Sequence, residues 1–468
     1  MRPVILLICF VLLNTESYSQ NTFEKIIDTL ACDYASCIQE TFDGGYVFCG
    51  KSSIGGNDVI IVKLDSIGTI EWANVYGGPS IEAAAYIEQT PDSGYMVNAL
   101  YDGGGLNAKS WLLRLDTNGD TLWTQVFSAG TGSTIVGDAN SMASINSTIY
   151  GMTGKFKPQP FTFNSSYFIS SIGNGIQLGN KIYDNSIYGS TGDGIDKTYD
   201  GGFIFTGQYG TSISTADVNL IRVNALGDTL WTRTYHNSLA DVGRAVIQTA
   251  DSGFMVAGFT RYLINAYNIY LIKTDSVGDT LWTKQYVDSV NCDVSSIQQT
   301  TDAGYIIAGR KSGIIYLIKT DELGDTLWTQ TFGNMQNGSQ AFNVRQTPDN
   351  GYIISGTGVI GSTYGAYIIK TDSMGIVASG TGITEINNPF LFDVFPNPTT
   401  GVFNVRVNGI SSRNSSISIY NLSGQTIYST MIKNNATVQI DLTGLTGGLY
   451  AISLRSGNRT FTRKFILH

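Results

Sequence analysis

The side chains best suited to chemistry are scarce in this 468-residue chain. Its two histidines are His236 and the terminal His468, so an imidazole base has one internal candidate and histidine-rich metal sites are not expected. No G-x-S-x-G elbow accompanies His236. P-loop, H-E-x-x-H and EF-hand strings are also missing, and no metal or cofactor is assigned. Cys9, Cys32, Cys37, Cys49 and Cys292 form no C-x-x-C pair. Cys37 and Cys49 flank the turn at Asp43-Gly44 and are placed to face each other across a hairpin, as free thiols or as a disulfide. Aspartate recurs, but in Asp-x-Gly-aromatic strings at Asp43, Asp92, Asp200, Asp251, Asp302 and Asp349. An aspartate there bonds its own backbone while glycine supplies a positive φ, so these carboxylates read as turn formers. The residues point away from an enzyme.

The elements that carry these turns are repeats. The aspartates are spaced 49, 108, 51, 51 and 47 residues apart, and 108 is twice 54, which marks a degenerate copy near Asn146. A second anchor, D/N-x-x-G-x-x-x-W, ends in Trp72, Trp123, Trp231, Trp282 and Trp328; the degenerate copy has Gln177 and the last copy Ser379 at that place. In the fifth copy Ala245–Thr249, Phe254–Phe259, Ile269–Thr274 and Thr280–Tyr286 read as four strands. Third strands such as Ile60-Ile61-Val62 and Ile315-Tyr316-Leu317-Ile318 are continuously apolar, as strands covered on both faces must be. Four-stranded sheets stacked around an axis meet that demand, so the fold class is all-β and the body a seven-bladed β-propeller, with six or eight blades as alternatives. Thr22–Asp28 resembles the fourth strand that the last copy lacks and is expected to close the ring. The repeated tryptophans resemble the docking motif of propellers that bind pyrroloquinoline quinone, with one residue fewer before Gly. That likeness concerns scaffold packing and implies no cofactor.

Function is sought where the repeat breaks. Ser128–Ala143 reads as a loop, and Lys155, Phe156, Lys157 and Phe161 form a basic-aromatic cluster suited to a sugar or peptide. Charge is uneven as well: from Glu385 onward seven basic residues face three acidic ones, a net +4, leaving −13 of the total −9 elsewhere. An acidic body argues against nucleic acid as a partner. Arg2 followed by the apolar Val4–Leu13 and small Ser17 and Ser19 reads as a signal peptide over residues 1–19. The propeller is then expected over 20–380, a linker over 381–390, and a small Ig-like β-sandwich of about seven strands over 391–468.

That last segment closely resembles the type A C-terminal sorting domain of the type IX secretion system. The likeness rests on Phe395-Pro396-Asn397-Pro398-Thr399-Thr400-Gly401, on Ile419-Tyr420-Asn421-Leu422-Ser423-Gly424, on Leu442–Gly448 with Leu449-Tyr450, and on Lys464-Phe465-Ile466-Leu467. It implies passage through the periplasm, recognition by the outer-membrane translocon, and release or attachment to surface lipopolysaccharide. The expected function is an exported binding or adhesion module for an extracellular glycan or protein. A secreted hydrolase or lyase acting on an extracellular polymer, and a purely structural surface layer, are the alternatives. Carboxylates converging at one mouth of the ring, outside the repeated turns, would favour the hydrolase.

Overall fold

A computed structural model describes residues 21–467, except 54–56, 79, 103–107, 129–131, 137–140, 159–164, 184–189, 211–215, 264–265, 287–290, 334–337, 361–362, 378–391, 396–398, 408–414, 422–424, 433–436 and 457–458. The expected signal peptide and linker lie outside these residues. The chain divides into two units, Met1–Ala378 and Ser379–His468. Both are built of strands; the one helical turn among the described residues is Thr29–Ala31. No helix there is long and apolar enough to cross a membrane.

Among the described residues, the first unit shows seven antiparallel sheets with propeller-like repetition. The fifth is typical: Ala240–Gln248, Phe254–Leu263, Ala266–Thr274 and Thr280–Tyr286 pair in chain order. Each sheet packs on the next, and the first also packs on the seventh. Ile60, Ile61, Val62, Leu271 and Leu317 are wholly buried, as the unbroken apolar third strands require. Cores form between neighbouring sheets; Ile306, Leu317, Val344 and Ile354, for example, join the sixth and seventh.

The two turn anchors behave differently from each other. In the Asp-x-Gly turns, positive φ falls on the middle residue (Gly44, Ser93, Gly201, Ser252, Ala303, Asn350), not on the glycine that follows. That following glycine answers to space: a Cβ on Gly253 would lie 2.2 Å from the Thr274 carbonyl oxygen. The buried cation that precedes the second turn reaches into this tight corner. Lys273 Nζ lies 2.8 Å from Asp251 Oδ2, and Lys63–Asp43, Arg114–Asp92, Arg222–Asp200, Lys319–Asp302 and Lys370–Asp349 repeat the pair. Burial alone would raise the Asp43 carboxyl, but hydrogen bonds from Lys63, Thr41 and the Gly45 N–H hold it down at about 2.

The second anchor couples sheets. Gly324 has φ +78°, and a Cβ on it would sit 2.8 Å from the Trp282 ring of the preceding sheet. Trp72 meets Tyr95, Trp231 meets Phe254 and Trp328 meets Tyr352 edge-on across the same boundary, with ring centroids 5.7–5.8 Å apart. The seventh sheet has no such tryptophan, and Phe23–Ile27 supplies its fourth strand by pairing with Thr363–Thr371. Phe23 lies opposite Lys370 as Trp282 lies opposite Lys273. Its ring meets Tyr46 of the first sheet edge-on at 6.0 Å and covers Gly68. Lys25 Nζ donates to the Gly68 carbonyl at 2.9 Å. Phe23 therefore takes the tryptophan's place in both directions.

The third sheet departs from the expected loop. Gly132–Val136 and Met142–Ile145 are both strands within the Ser128–Ala143 stretch or at its edge, and both pair with the ten-residue Ile149–Pro158. The turn of this degenerate copy falls on Asn146 and Ser147, both at φ 52°. Cys32, Cys37, Cys49 and Cys292 are buried and not joined in disulfides with one another; Cys37 faces Cys49 in register, and burial pushes the Cys37 thiol up to about 11.

Among the described residues the second unit has seven strands in two sheets. Phe392–Phe395, Val402–Val407 and Thr437–Asp441 form one; Thr426–Ile432, Ser415–Tyr420, Gly448–Ser456 and Arg459–Leu467 form the other. Alternate residues Phe403 and Val405 meet Ile417, Ile419, Ile452 and Leu454 in a common core. Gly401 has φ +129°, and a Cβ there would meet the Thr443 backbone at 2.9 Å, so only glycine fits this corner.

Candidate functional site

The first strand of each sheet in the body, or Met142–Ile145 in the third, ends at one cavity of about 390 Å³. Two residues before the turn threonine, or at the matching place in the third sheet, stand Gln39, Glu88, Ser144, Asp196, Ile247, Gln298 and Arg345, one from each sheet; all seven line the cavity. Identical blades would place one residue type there. Here six of the seven positions are polar and of mixed charge, Ile247 being the apolar one, and Glu40 and Lys197 add to the ring from the next position along.

Burial governs the carboxyls. Glu88 is 9% exposed, and its pKa is raised by burial against the pull of the Ser144 hydrogen bond, Lys197 and Arg345. Its Oε1 has no hydrogen-bond partner among the described residues, and neither does Arg345 Nε. Asp196 is pushed up to about 6, again by burial, although its oxygens accept from the Gln248 and Lys197 N–H groups at 2.9 Å. Glu40 is raised by burial and then by the charge of Asp349. The cavity thus offers carboxyls whose burial favours the protonated form, a guanidinium, and amide donors from Gln39 and Gln298. Such a set can bind a polyhydroxylated or zwitterionic ligand. Two turns that leave these strands carry aromatic rings: Phe42 is 70% exposed and Tyr199 is exposed to the same degree.

The basic-aromatic cluster singled out in the sequence is a different matter. Phe156 is 3% exposed and packs in the core shared by the first three sheets, because alternation along Ile149–Pro158 turns it inward. Lys155 Nζ lies 3.3 Å from the buried carboxylate of Asp193. The Lys157 side chain and Phe161 lie outside the described residues. Phe156 is a core residue and offers no ring to a ligand.

Of the sorting motif, Gly401 makes the corner described above, with its N–H donating to Thr399 Oγ1 at 3.2 Å. Tyr420 ends Ser415–Tyr420, and Gly448 opens Gly448–Ser456 with φ +157°. Tyr450 is buried, stacks on Phe465 at 5.7 Å, and donates its hydroxyl to the Thr446 carbonyl. Phe395 and Lys464 lie in strands, but their side chains, and all of Pro396, Asn397, Pro398 and Gly424, are outside the described set.

A signal for the cavity was present in the sequence. The residue before the turn threonine is Gln89, Gln248, Gln299 or Gln346 in four sheets, and each side chain accepts from a turn N–H of the preceding sheet: Phe42, Tyr199, Ala250 and Thr301, at 2.7–2.9 Å. Where that turn residue is Pro91 or Pro348 there is no N–H to accept, and the next sheet carries Ile145 or Glu40 instead. Glu40 and Lys197 are thus the charged exceptions to a structural glutamine, and both line the cavity.

Residues 393–468 match the family described as the secretion system C-terminal sorting domain. No curated protein matches the chain. Among solved structures, the extracellular domain of BT3049 from B. thetaiotaomicron is 10% identical with a TM-score of 0.44; the match covers 94% of this chain and 56% of that one. The periplasmic gluconolactonase PpgL of Pseudomonas aeruginosa is 9% identical with a TM-score of 0.46, covering 85% and 99%. Sqt1 from Chaetomium thermophilum is 10% identical with a TM-score of 0.42, covering 93% and 97%. Likenesses at this level carry no activity over to this chain. The C-terminal match is specific: residues 393–468 are a sorting domain of the secretion-system family, and they direct the chain through the type IX machinery to the cell surface or the medium.

Proposed function

We propose that the body is a seven-bladed β-propeller, closed by Phe23–Ile27, that serves outside the cell as a binding module for glycans. The observation that carries this reading is the mixed-charge cavity to which each of the seven sheets contributes a strand end, together with the exposed rings of Phe42 and Tyr199 on the turns that follow two of those strands. Aromatic faces stack on the apolar faces of sugar rings while carboxyl and amide groups take the hydroxyls. The C-terminal domain delivers the module, and surface lipopolysaccharide is the attachment point when it is retained.

A second reading draws on one further fact. Glu40, Glu88 and Asp196 converge in the cavity outside the repeated turns, and a hydrolase of an extracellular polymer needs such a carboxyl set, with Glu88 as the proton donor. One experiment separates the two readings. The full chain is applied to a panel of immobilised polysaccharides, and the soluble products are analysed for new reducing ends. Retention without new ends, weakened about tenfold (roughly 1.4 kcal/mol) in Phe42→Ala and Tyr199→Ala, supports the binding module. New ends that vanish in Glu88→Gln support the hydrolase. Neither retention nor cleavage, across the panel, defeats both.

A further inference from the structure

A second group of chemistry-bearing side chains sits at the opposite ends of the strands. Asp217 opens Asp217–Val223 in the fourth sheet, His236 follows Thr229–Tyr235, and Asp241 is the second residue of Ala240–Gln248 in the fifth. Asp241 and the cavity-lining Ile247 are six residues apart on one strand, a separation of roughly 20 Å. One ligand atom from each of the three lies within 4.8 Å of the other two, and this is the one such group of three among the described residues. His236 Nδ1 stands 2.7 Å from Asp217 Oδ1.

Asp241 is wholly buried and divides its oxygens between two tasks. Oδ2 accepts the Asn237 and Ser238 N–H groups at 2.6 and 3.1 Å, which fixes the loop that carries His236. Oδ1 has no hydrogen-bond partner among the described residues. A buried carboxylate oxygen left without a donor is destabilising, and a cation relieves it. The position also breaks the repeat. Asp217 lies five residues before Arg222, and the same offset gives Asn268, Ile314 and Gly365 in the last three sheets. Asp241 lies eight before Thr249, where Cys292, Ser339 and Ser190 stand elsewhere. Only between the first and second sheets do two carboxyls recur, Asp58 and Glu82, and there Gly77 occupies the histidine's place. The turn and packing rules of the repeat therefore do not explain the Asp217, His236 and Asp241 combination.

We propose that Asp217, His236 and Asp241 bind a first-row divalent cation of the zinc or manganese class. One imidazole nitrogen with two carboxylate oxygens suits such borderline ions; calcium prefers sites made of oxygen alone. Ligands about 2.0–2.2 Å from a shared ion stand about 3 Å from one another, which the pair at 2.7 Å meets by opening a few tenths of an ångström. His236 is exposed, so the ion keeps positions for water or for a ligand's oxygen.

The test uses the full chain, stripped with a chelator and titrated with zinc chloride by calorimetry. One equivalent binds, and thermal unfolding of the loaded protein moves upward. His236→Ala and Asp217→Asn each weaken binding about tenfold or more, whereas His468→Ala leaves it unchanged. His236→Ala removes an exposed side chain, so its metal-free unfolding temperature matches the parent's and separates a lost ligand from a lost fold. Equal zinc affinity in the parent and His236→Ala overturns the proposal. So does failure of the parent to bind zinc or manganese, and so does tighter binding of calcium than of zinc.

Discussion

Asp196 shows how a single group ties the cavity to solution conditions. Its carboxyl is held at about 6 in the folded chain, by burial first, against an ordinary value near 3.9. A pKa raised on folding means that the native state holds the proton more tightly than the unfolded state does. Its charge therefore destabilises the fold progressively as pH rises from about 4, and the effect is complete above about 6. Asp196→Asn, which keeps an oxygen to accept the Gln248 N–H, should be more stable than the parent at pH 7.5 and show no advantage at pH 4. Urea unfolding at the two values checks this, and an unaltered difference between the parent and variant curves would contradict it. None of this was legible from Asp196 alone. One aspartate among 37 acidic residues carries no mark of burial, and its ring position appears only when the seven strands are aligned by their turns. The Phe156 error has the same origin: in a strand, period two decides which neighbour faces inward, and the sequence around Lys155-Phe156-Lys157 does not fix the register.

At the scale of elements, the repeat itself was readable because its anchors answer to local chemistry. The Asp-x-Gly turn and the Gly–Trp contact recur at almost fixed spacing since each must satisfy the same corner or cover the same glycine. The strand Gly132–Val136 was not readable, because Gly, Ser and Thr spell a loop until a long partner such as Ile149–Pro158 supplies the ladder. Phe23–Ile27 falls between these cases: its strand character was visible, while its substitution of phenylalanine for tryptophan emerges from register. That substitution has a measurable consequence. Phe23→Ala removes the ring from between Tyr46 and Gly68 and should cost about 3–5 kcal/mol, the range for a buried aromatic. Phe23→Trp, which restores the residue used at the other boundaries, should recover most of it. Denaturant unfolding of the three proteins decides the point; equal stability of Phe23→Ala and the parent would show that the boundary between the seventh and first sheets holds without this ring.

At the scale of the whole molecule, charge sets the C-terminal unit apart from the body. The C-terminal segment from Glu385 carries +4 and the remainder −13, so the segment read by the secretion machinery is chemically unlike the body it delivers. Each unit also has a core of its own, that of the C-terminal one including Phe403, Ile417, Ile452 and Phe465. Separate cores allow one unit to be removed without dismantling the other. A chain that ends at residue 390 should therefore fold its body, resist proteolysis as the full chain does, and accumulate in the periplasm. Immunodetection in periplasm, outer membrane and medium, combined with limited proteolysis, tests both halves of that statement. A truncated chain that reaches the surface would remove the sorting role from residues 393–468. One that is retained but degraded would instead show that the body depends on its C-terminal neighbour, and the division of labour drawn from the cores would fail. A replacement at Gly401 refines the test, because a side chain there meets the Thr443 backbone. Gly401→Val should disturb the C-terminal unit alone and reproduce the retention of the truncated chain with the body's cavity and turns intact.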